Sequence, residues 1–438
     1  MLLVFIVLMR LYACTDTTPR SSAPARYTDD RTAHEDGLGY HRRGLYGDAE
    51  AAFRFALELE PENPQYHYVL GAALHAQSRY GDAETAFHRA TELAPDYAAP
   101  RIALGKMLYD VRGDAPRSLA LLRSVLEVAP ESSEARFALG KILQREGDTE
   151  AVEMYSTISH EAPEYGPAQT QLGMCYLQAG ESDSARLALE QAARVSPYDP
   201  KPFIGLSQAL WRLGESAAAQ RMLEKSSELE RQAEQLRPHL DAVRQNPHHA
   251  PAHYNLGVNY ARFGRYRQAR AQFLRALELE PSYGHAHQGM GILYQRRNEE
   301  QRALESYLKA VATDSTLAVS HNNLGLLYQK RGKLEKALQS FETAVRMEPE
   351  TASFYANLGK SYLDLDQLAQ AEITVHRALE LDPTLLGVRD LLGDVRAQKG
   401  EVRRALEIWE SIPADRSVDG QLQQKIRTAR EELEGEQR

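Results

Sequence analysis

A glycine returns along this chain at near-constant intervals, at Gly37, Gly71, Gly105, Gly140 and Gly173, then at Gly257, Gly291, Gly325, Gly359 and Gly393. The common step is 34 residues. A period of that length describes one supersecondary unit, too small to bury its own apolar face, so the units must stack. Most of these glycines are followed twelve residues later by an alanine: Ala49, Ala83, Ala185, Ala269, Ala303, Ala337, Ala371 and Ala405. Four residues further stands a bulky apolar group, such as Phe53, Phe87, Phe273, Tyr307, Phe341 or Trp409, and after it a second alanine, as at Ala56, Ala90, Ala276 and Ala344. A proline then closes the unit at Pro61, Pro95, Pro197, Pro281, Pro349 and Pro383. The small residues let two helices approach closely, and the large ones fill the space beside that contact. A second glycine, as at Gly44, Gly180, Gly264 and Gly332, suits the turn between the helices, and the proline stops the second helix. The expected fold class is all-α, an α-solenoid of about eleven helix-turn-helix units.

Composition agrees with helices and narrows the function. Trp occurs only 2 times and the abundant residues are helix formers. The formal charge of −9 leaves no broad basic field, so nucleic acid is not an expected partner. Two cysteines, Cys14 and Cys175, build neither a disulfide framework nor a cysteine zinc site. Cys175 reads as a small buried apolar residue inside a first helix. His67, His253, His287 and His321 share one repeat position on the packing side of the first helix, which points to structure rather than ligation. His248, His249 and His253 cluster near Pro247, yet no cysteine or close carboxylate completes a site of recognised spacing. The glycines belong to the repeat and not to a phosphate-cradling loop. No catalytic set, metal or cofactor is therefore expected.

The repeat resembles the tetratricopeptide repeat (TPR). Gly257 to Pro281 carries its pattern in Leu256-Gly257, Tyr260, Gly264, Tyr266, Ala269, Phe273, Ala276 and Pro281, and the likeness runs from about Asp30 to Ile412. The resemblance implies a superhelix whose first helices line a concave groove. It also implies a non-catalytic scaffold or adaptor binding partner proteins or extended peptides there. A second reading makes the array a non-catalytic subunit of a glycosyltransferase-type or other enzyme complex. The family's clamp for chaperone tails is not met, since Gln288 and Ile292 stand where its basic and amide residues belong.

The phase of the repeat divides the chain. Residues 30–216 form a first array of six units and residues 250–412 a second of five. Between them the alanine spacing from Ala219 to Ala269 widens to 50, so residues 217–249 read as an overlong second helix, kinked or broken at Pro238. This segment is either a spacer or hinge, or a tolerated insertion. Residues 413–438, with Val418, Leu422, Ile426, Ala429 and Leu433 on one face, read as a capping helix.

At the other end, the apolar run Leu2 to Met9 and the segment Leu11-Tyr12-Ala13-Cys14 read as an export signal over residues 1–14. Leu11, Ala13 and Cys14 resemble the lipobox of bacterial lipoproteins, which implies lipidation of Cys14 and a membrane anchor. Residues 15–29, rich in Thr, Ser, Pro and Ala, suit a flexible tether. The implied location is the bacterial cell envelope facing the periplasm, with the outer membrane favoured because no Asp follows Cys14. Simple secretion is the second reading, a chance apolar start the third.

Two series on the first helices are candidate peptide contacts. Asn255, Asn323 and Asn357 each stand two residues before the repeat glycine, with Gly289 interrupting the series. Stacked amides can bond the backbone of an extended peptide, as in the asparagine ladder of O-linked N-acetylglucosamine transferase, which this series resembles. Asn is equally a common solvated choice. Arg262, Arg296 and Lys330 recur one unit apart and would favour an acidic ligand, or form a solvated rim. The first array lacks the ladder, with Val69, Ala103, Ala138, Gln171 and Gly205 in the equivalent places.

Overall fold

The computed structural model describes residues 27–413 and 420–436, with side chains as far as residue 434. The signal and lipobox at residues 1–14, Cys14 included, and most of the tether lie outside the described residues. Every regular element described is helical. The first six pairs are α1 (Asp30–Arg42) with α2 (Tyr46–Leu59), α3 (Pro64–Ala76) with α4 (Tyr80–Leu93), and α5 (Ala98–Arg112) with α6 (Ala115–Val128). They continue with α7 (Ser133–Glu146) and α8 (Glu150–Glu161), α9 (Gly166–Ala179) and α10 (Ser182–Val195), and α11 (Pro200–Arg212) and α12 (Ser216–Gln245). Five more follow: α13 (Ala250–Arg262) with α14 (Tyr266–Leu279), α15 (Gly284–Arg296) with α16 (Glu300–Thr313), and α17 (Ala318–Lys330) with α18 (Leu334–Met347). The last are α19 (Ala352–Asp364) with α20 (Leu368–Leu381) and α21 (Leu386–Gln398) with α22 (Val402–Glu410), before a final helix α23 (Gly420–Glu436).

The repeat glycine is a steric requirement. A Cβ built on Gly325 in α17 would lie 2.5 Å from Phe341 Cε1 in α18, and one on Gly393 would lie 2.2 Å from Trp409 Nε1. Carbon atoms rest at about 3.5–4.0 Å, so no side chain fits beneath these rings. The flanking alanines Ala337 and Ala344 and the ring of Phe341 are wholly buried. Burying one such ring contributes about 1.5–3 kcal/mol. In the third pair Ser118 replaces the alanine, is fully buried, and its hydroxyl donates to the Gly105 carbonyl at 2.6 Å. Seven residues after the repeat glycine the backbone turns left-handed, at Gly44 and Gly264 with φ of 77° and 71°. Where glycine is missing the same geometry is imposed on Ser78, Asn298 and Asp366, at φ of 62°, 57° and 58°.

Second helices end two residues before the closing proline, at Leu59, Leu279 and Leu381 for Pro61, Pro281 and Pro383. Successive first helices touch one another, as α5 with α7, α7 with α9, α9 with α11 and α13 with α15 do. Successive second helices make no comparable contact among the described residues. In each array the first helices therefore stand on the inner side.

The chain separates into two compact units inside α12, between Arg231 and Gln232. This helix spans 30 residues and runs through Pro238 without a break. Its early part belongs with the first unit, where the Ser226 hydroxyl donates to the Pro200 carbonyl at 3.1 Å. Its later part belongs with the second, where Arg265 donates to Gln232 at 3.2 Å and His239 meets Asn259 at 3.1 Å. At the far end α23 buries Leu422, Ile426 and Ala429 against Trp409 and Ile412, capping the last pair. Lys425 of that helix pairs with Asp390 at 2.8 Å and Asp394 at 2.5 Å. Burial pushes the Asp394 carboxyl above its ordinary value despite that pairing.

Candidate partner-binding surface

The histidines at the shared repeat position hold the joints between pairs. The Nε2 of His67 donates to the Pro61 carbonyl at 2.8 Å, that of His253 to Pro247 at 3.1 Å, and that of His287 to Pro281 at 2.9 Å. His321 reaches the Ser315 carbonyl at 3.1 Å, and Gln169 and Arg389 serve Pro163 and Pro383 in the same way at 2.7 and 3.0 Å. Each bond satisfies a backbone carbonyl in the turn that follows the previous second helix. Among the described residues no group of three or more His, Cys, Asp or Glu is placed to hold a metal ion. Nor is any described helix long and apolar enough to cross a membrane.

The asparagine series is not a row of free amides. Asn255 is exposed, and its side chain makes no hydrogen bond among the described residues. Asn323, half-buried, donates to the Tyr307 hydroxyl at 3.1 Å, and that hydroxyl donates to Gln295 at 2.8 Å. Burial pushes the Tyr307 phenol well above its ordinary value, so it stays protonated and can serve both bonds. Asn357 donates to Asn322 Oδ1 at 2.8 Å, joining α17 to α19. The interruption at Gly289 also has a cause: a Cβ there would lie 2.8 Å from the Phe273 ring of the preceding pair.

The basic series acts at the pair-to-pair edge. Arg262, Arg296 and Lys330 occupy the last turns of α13, α15 and α17, where a cation complements the helix dipole. Arg262 lies 5.4 Å over the Phe263 ring. Arg296 donates to the Tyr266 hydroxyl at 3.2 Å, and Lys330 pairs with Glu300. The Lys330 ammonium beside Glu300 holds that carboxyl below its ordinary value. Arg296 and Lys330 thus reach back to the start of the preceding second helix and link consecutive pairs.

Aromatic residues missed in the sequence reading shape the inner surface. Three edge-to-face pairs join successive first helices: Tyr68 with Tyr97, Phe137 with Tyr165 and Tyr254 with Tyr283, each with ring centroids 5.6 Å apart. In each, an aromatic three residues before the repeat glycine meets a tyrosine immediately preceding the next first helix. The sequence carried a signal for them, because the tyrosine occurs at that joint only after an aromatic partner. Beside the middle pair lies a groove of about 440 Å³ along α5 and α7, bordered by Tyr109, Phe137, Ile142 and Tyr165 with Lys106 and Lys141. At its edge Arg145 donates to Asp110 at 3.0 Å and Tyr109 donates to Glu146 at 2.8 Å.

Comparison with known proteins matches these repeats. Models of the tetratricopeptide repeat match residues 37–98, 107–151, 166–199, 202–225, 250–283, 318–350 and 352–385, more than half the chain together. Tetratricopeptide repeat protein 37 of Xenopus laevis is 23% identical over 227 residues, covering 49% of this chain. The chain spans 14% of that relative's length. The crystal structure of the APC/C hetero-tetramer Cut9-Hcn1 is similar at 14% identity and a TM-score of 0.36, covering 84% of this chain and 76% of that one. Yeast Tom70 is similar at 13% identity and a TM-score of 0.35, covering 92% and 96%. With its glycine, alanine and aromatic positions packed as the repeat requires and its repeats matched along both arrays, the chain belongs to the tetratricopeptide repeat family.

Proposed function

We propose that this chain is a non-catalytic scaffold that holds partner proteins or extended peptide segments along the surface lined by its first helices. The observation that carries the reading is a division of labour within each unit. Glycine, alanine and the ring of the second helix make the core, while the first helix keeps a further exposed face, with Lys106, Lys141 and Asn255 on it. Side chains on that face vary from pair to pair, which suits recognition rather than packing. A photo-crosslinking amino acid at Asn255 or Lys106 should capture partners in the native host. The same probe at Ile373, 71% exposed on the second helix α20, should not. Equal adducts from all three positions would refute the reading.

The proposal extends to the address of the protein: a lipid on Cys14 anchoring it in a bacterial envelope, facing the periplasm, at the outer membrane. The apolar run Leu2 to Met9, the small Ala13 before Cys14 and the following Ser, Thr and Pro residues support it. Fractionation of wild type and Cys14→Ala tests it. Membrane association unchanged in the variant removes the anchor.

A further inference from the structure

We infer that the groove between α5 and α7 takes an acidic, extended segment of a partner protein, with two carboxylates three residues apart around one large apolar side chain. The inference deepens the scaffold reading and rests on it. It starts from Lys106 and Lys141, each one residue after a repeat glycine, both exposed and on the same groove. Neither makes an ion pair or hydrogen bond among the described residues.

Their lack of partners has a structural cause. At the same repeat position in α19, Lys360 bonds Asp364 four residues on, at 2.7 Å. The counterpart of Asp364 in α5 is Asp110, but Arg145 of the next pair holds it at 3.0 Å. In α7 the counterpart is Arg145 itself, so Lys141 has no acid in reach of its own helix. Two ammonium groups one repeat apart are thereby left for an anion from outside. Of the acids on the groove, Asp110 is neutralised by Arg145, and Glu134 lies in the first turn of α7, where the helix dipole favours it.

The space between the lysines is apolar, with Tyr109, Phe137, Ile142 and Tyr165 around it, and Tyr165 is 39% exposed. That favours a segment with an apolar side chain between its charges over a bare polyanion. Packed helices lie about 8–10 Å apart. An extended polyproline-type chain rises about 3.1 Å per residue with three residues per turn, so side chains at i and i+3 share a face about 9 Å apart. Acids at that spacing match one lysine per first helix.

Fluorescence anisotropy on the full chain tests this with a labelled peptide of sequence Pro-Glu-Phe-Pro-Glu-Pro, beside the same peptide with Lys for both Glu. The acidic peptide should bind, weaken as salt is raised, and lose at least about tenfold in affinity to Lys106→Glu with Lys141→Glu. The basic peptide should not bind. Both lysines are exposed, so the variant should keep its far-UV circular dichroism, and Lys106→Gln with Lys141→Gln should show a smaller loss. The proposal is overturned if the acidic peptide fails to bind wild type, if the double variant binds it equally, or if the basic peptide binds as well. Displacement of the peptide by a single-stranded uridine oligonucleotide at physiological salt overturns it in favour of RNA. Native-host crosslinking separates the two readings. Partner adducts from the Asn255 probe retained by the charge-reversed variant, with no peptide binding to wild type, end this inference and leave the scaffold standing; no inner-face adducts in wild type end the scaffold.

Discussion

Replacing Gly325 by alanine adds one carbon where the geometry has no room for it. The new Cβ would stand 2.5 Å from Phe341 Cε1 and 2.7 Å from Cδ1 and Cζ. Restoring an ordinary contact requires the ring to retreat by roughly 1 Å. Phe341 is wholly buried between α17 and α18 with Ala337 and Leu358 packed against it, so the movement must separate the helices. Overpacking of this kind costs about 1–3 kcal/mol. Alanine offsets about 0.5–1 kcal/mol of that through its better helix propensity. The expected net loss is about 1–2 kcal/mol. Gly105→Ala is the internal control. There the nearest atom is Leu122 Cγ at 3.2 Å, a displacement of a few tenths of an ångström, so the two terms should cancel to within about 0.5 kcal/mol.

Stacked repeats need not unfold in one step, so a global melting curve is the wrong measure. Amide hydrogen exchange followed by mass spectrometry, over peptides spanning α17 and α18, reads local opening directly. Gly325→Ala should speed exchange there about tenfold, the equivalent of about 1.4 kcal/mol, and leave α3 and α4 unchanged. Adding Phe341→Leu to Gly325→Ala should cost less than Phe341→Leu costs alone, because the smaller side chain removes the clash. Wild-type protection in Gly325→Ala, or equal loss in Gly105→Ala, would refute the steric account of the repeat glycine.

Ser78 holds φ at 62° in a turn that other units give to glycine, so Ser78→Gly should stabilise the α3–α4 pair by about 0.5–1 kcal/mol, read as slower exchange across the turn. Slower exchange absent, the left-handed turn is not strained. The Glu372 carboxyl is held below its ordinary value first by Lys399, with Arg396 and His376 adding to it. Its contribution should be full above the ordinary carboxylate range and lost as pH falls through the lowered folded value. Glu372→Gln should therefore exchange faster than wild type around α20 and α21 near neutrality, with the difference vanishing once pH has fallen below the lowered folded value; a difference constant with pH would contradict this. Burial pushes the Cys175 thiol up to about 11. In a Cys14→Ala background, iodoacetamide at neutral pH should label Cys175 only under denaturing conditions, and rapid native labelling would show the site to be open.

Much of the fold was legible in the chain because the residues that define the repeat are the residues that pack it. A glycine beneath Phe341 and a fully buried alanine on either side of that ring have no freedom to vary, so they print the period directly into the sequence. Gly105 and Gly140 stand 35 residues apart instead of 34, and the structure takes up the extra residue in the turn at Gly113, where α5 runs on to Arg112. The overlong helix after Ser216 showed as a widened spacing, but its passage through Pro238 did not, since a proline lowers helix stability without specifying whether surrounding contacts compensate.

Recognition was less legible, because it depends on which polar groups the tertiary structure leaves without a partner. From the sequence, Asn323, Asn357, Arg296 and Lys330 form tidy series. In three dimensions each has a partner on a neighbouring helix, at Tyr307, Asn322, Tyr266 and Glu300 respectively. Lys106, Lys141 and Lys360 share one repeat position, yet Arg145 takes the acid that would have matched Lys106, whereas Lys360 keeps Asp364. Short-range steric repetition is a property of one unit and survives in one dimension. The pairing of charges and amides is settled between units, by which side chain of the next helix arrives within hydrogen-bonding distance, and only the stacked structure decides that.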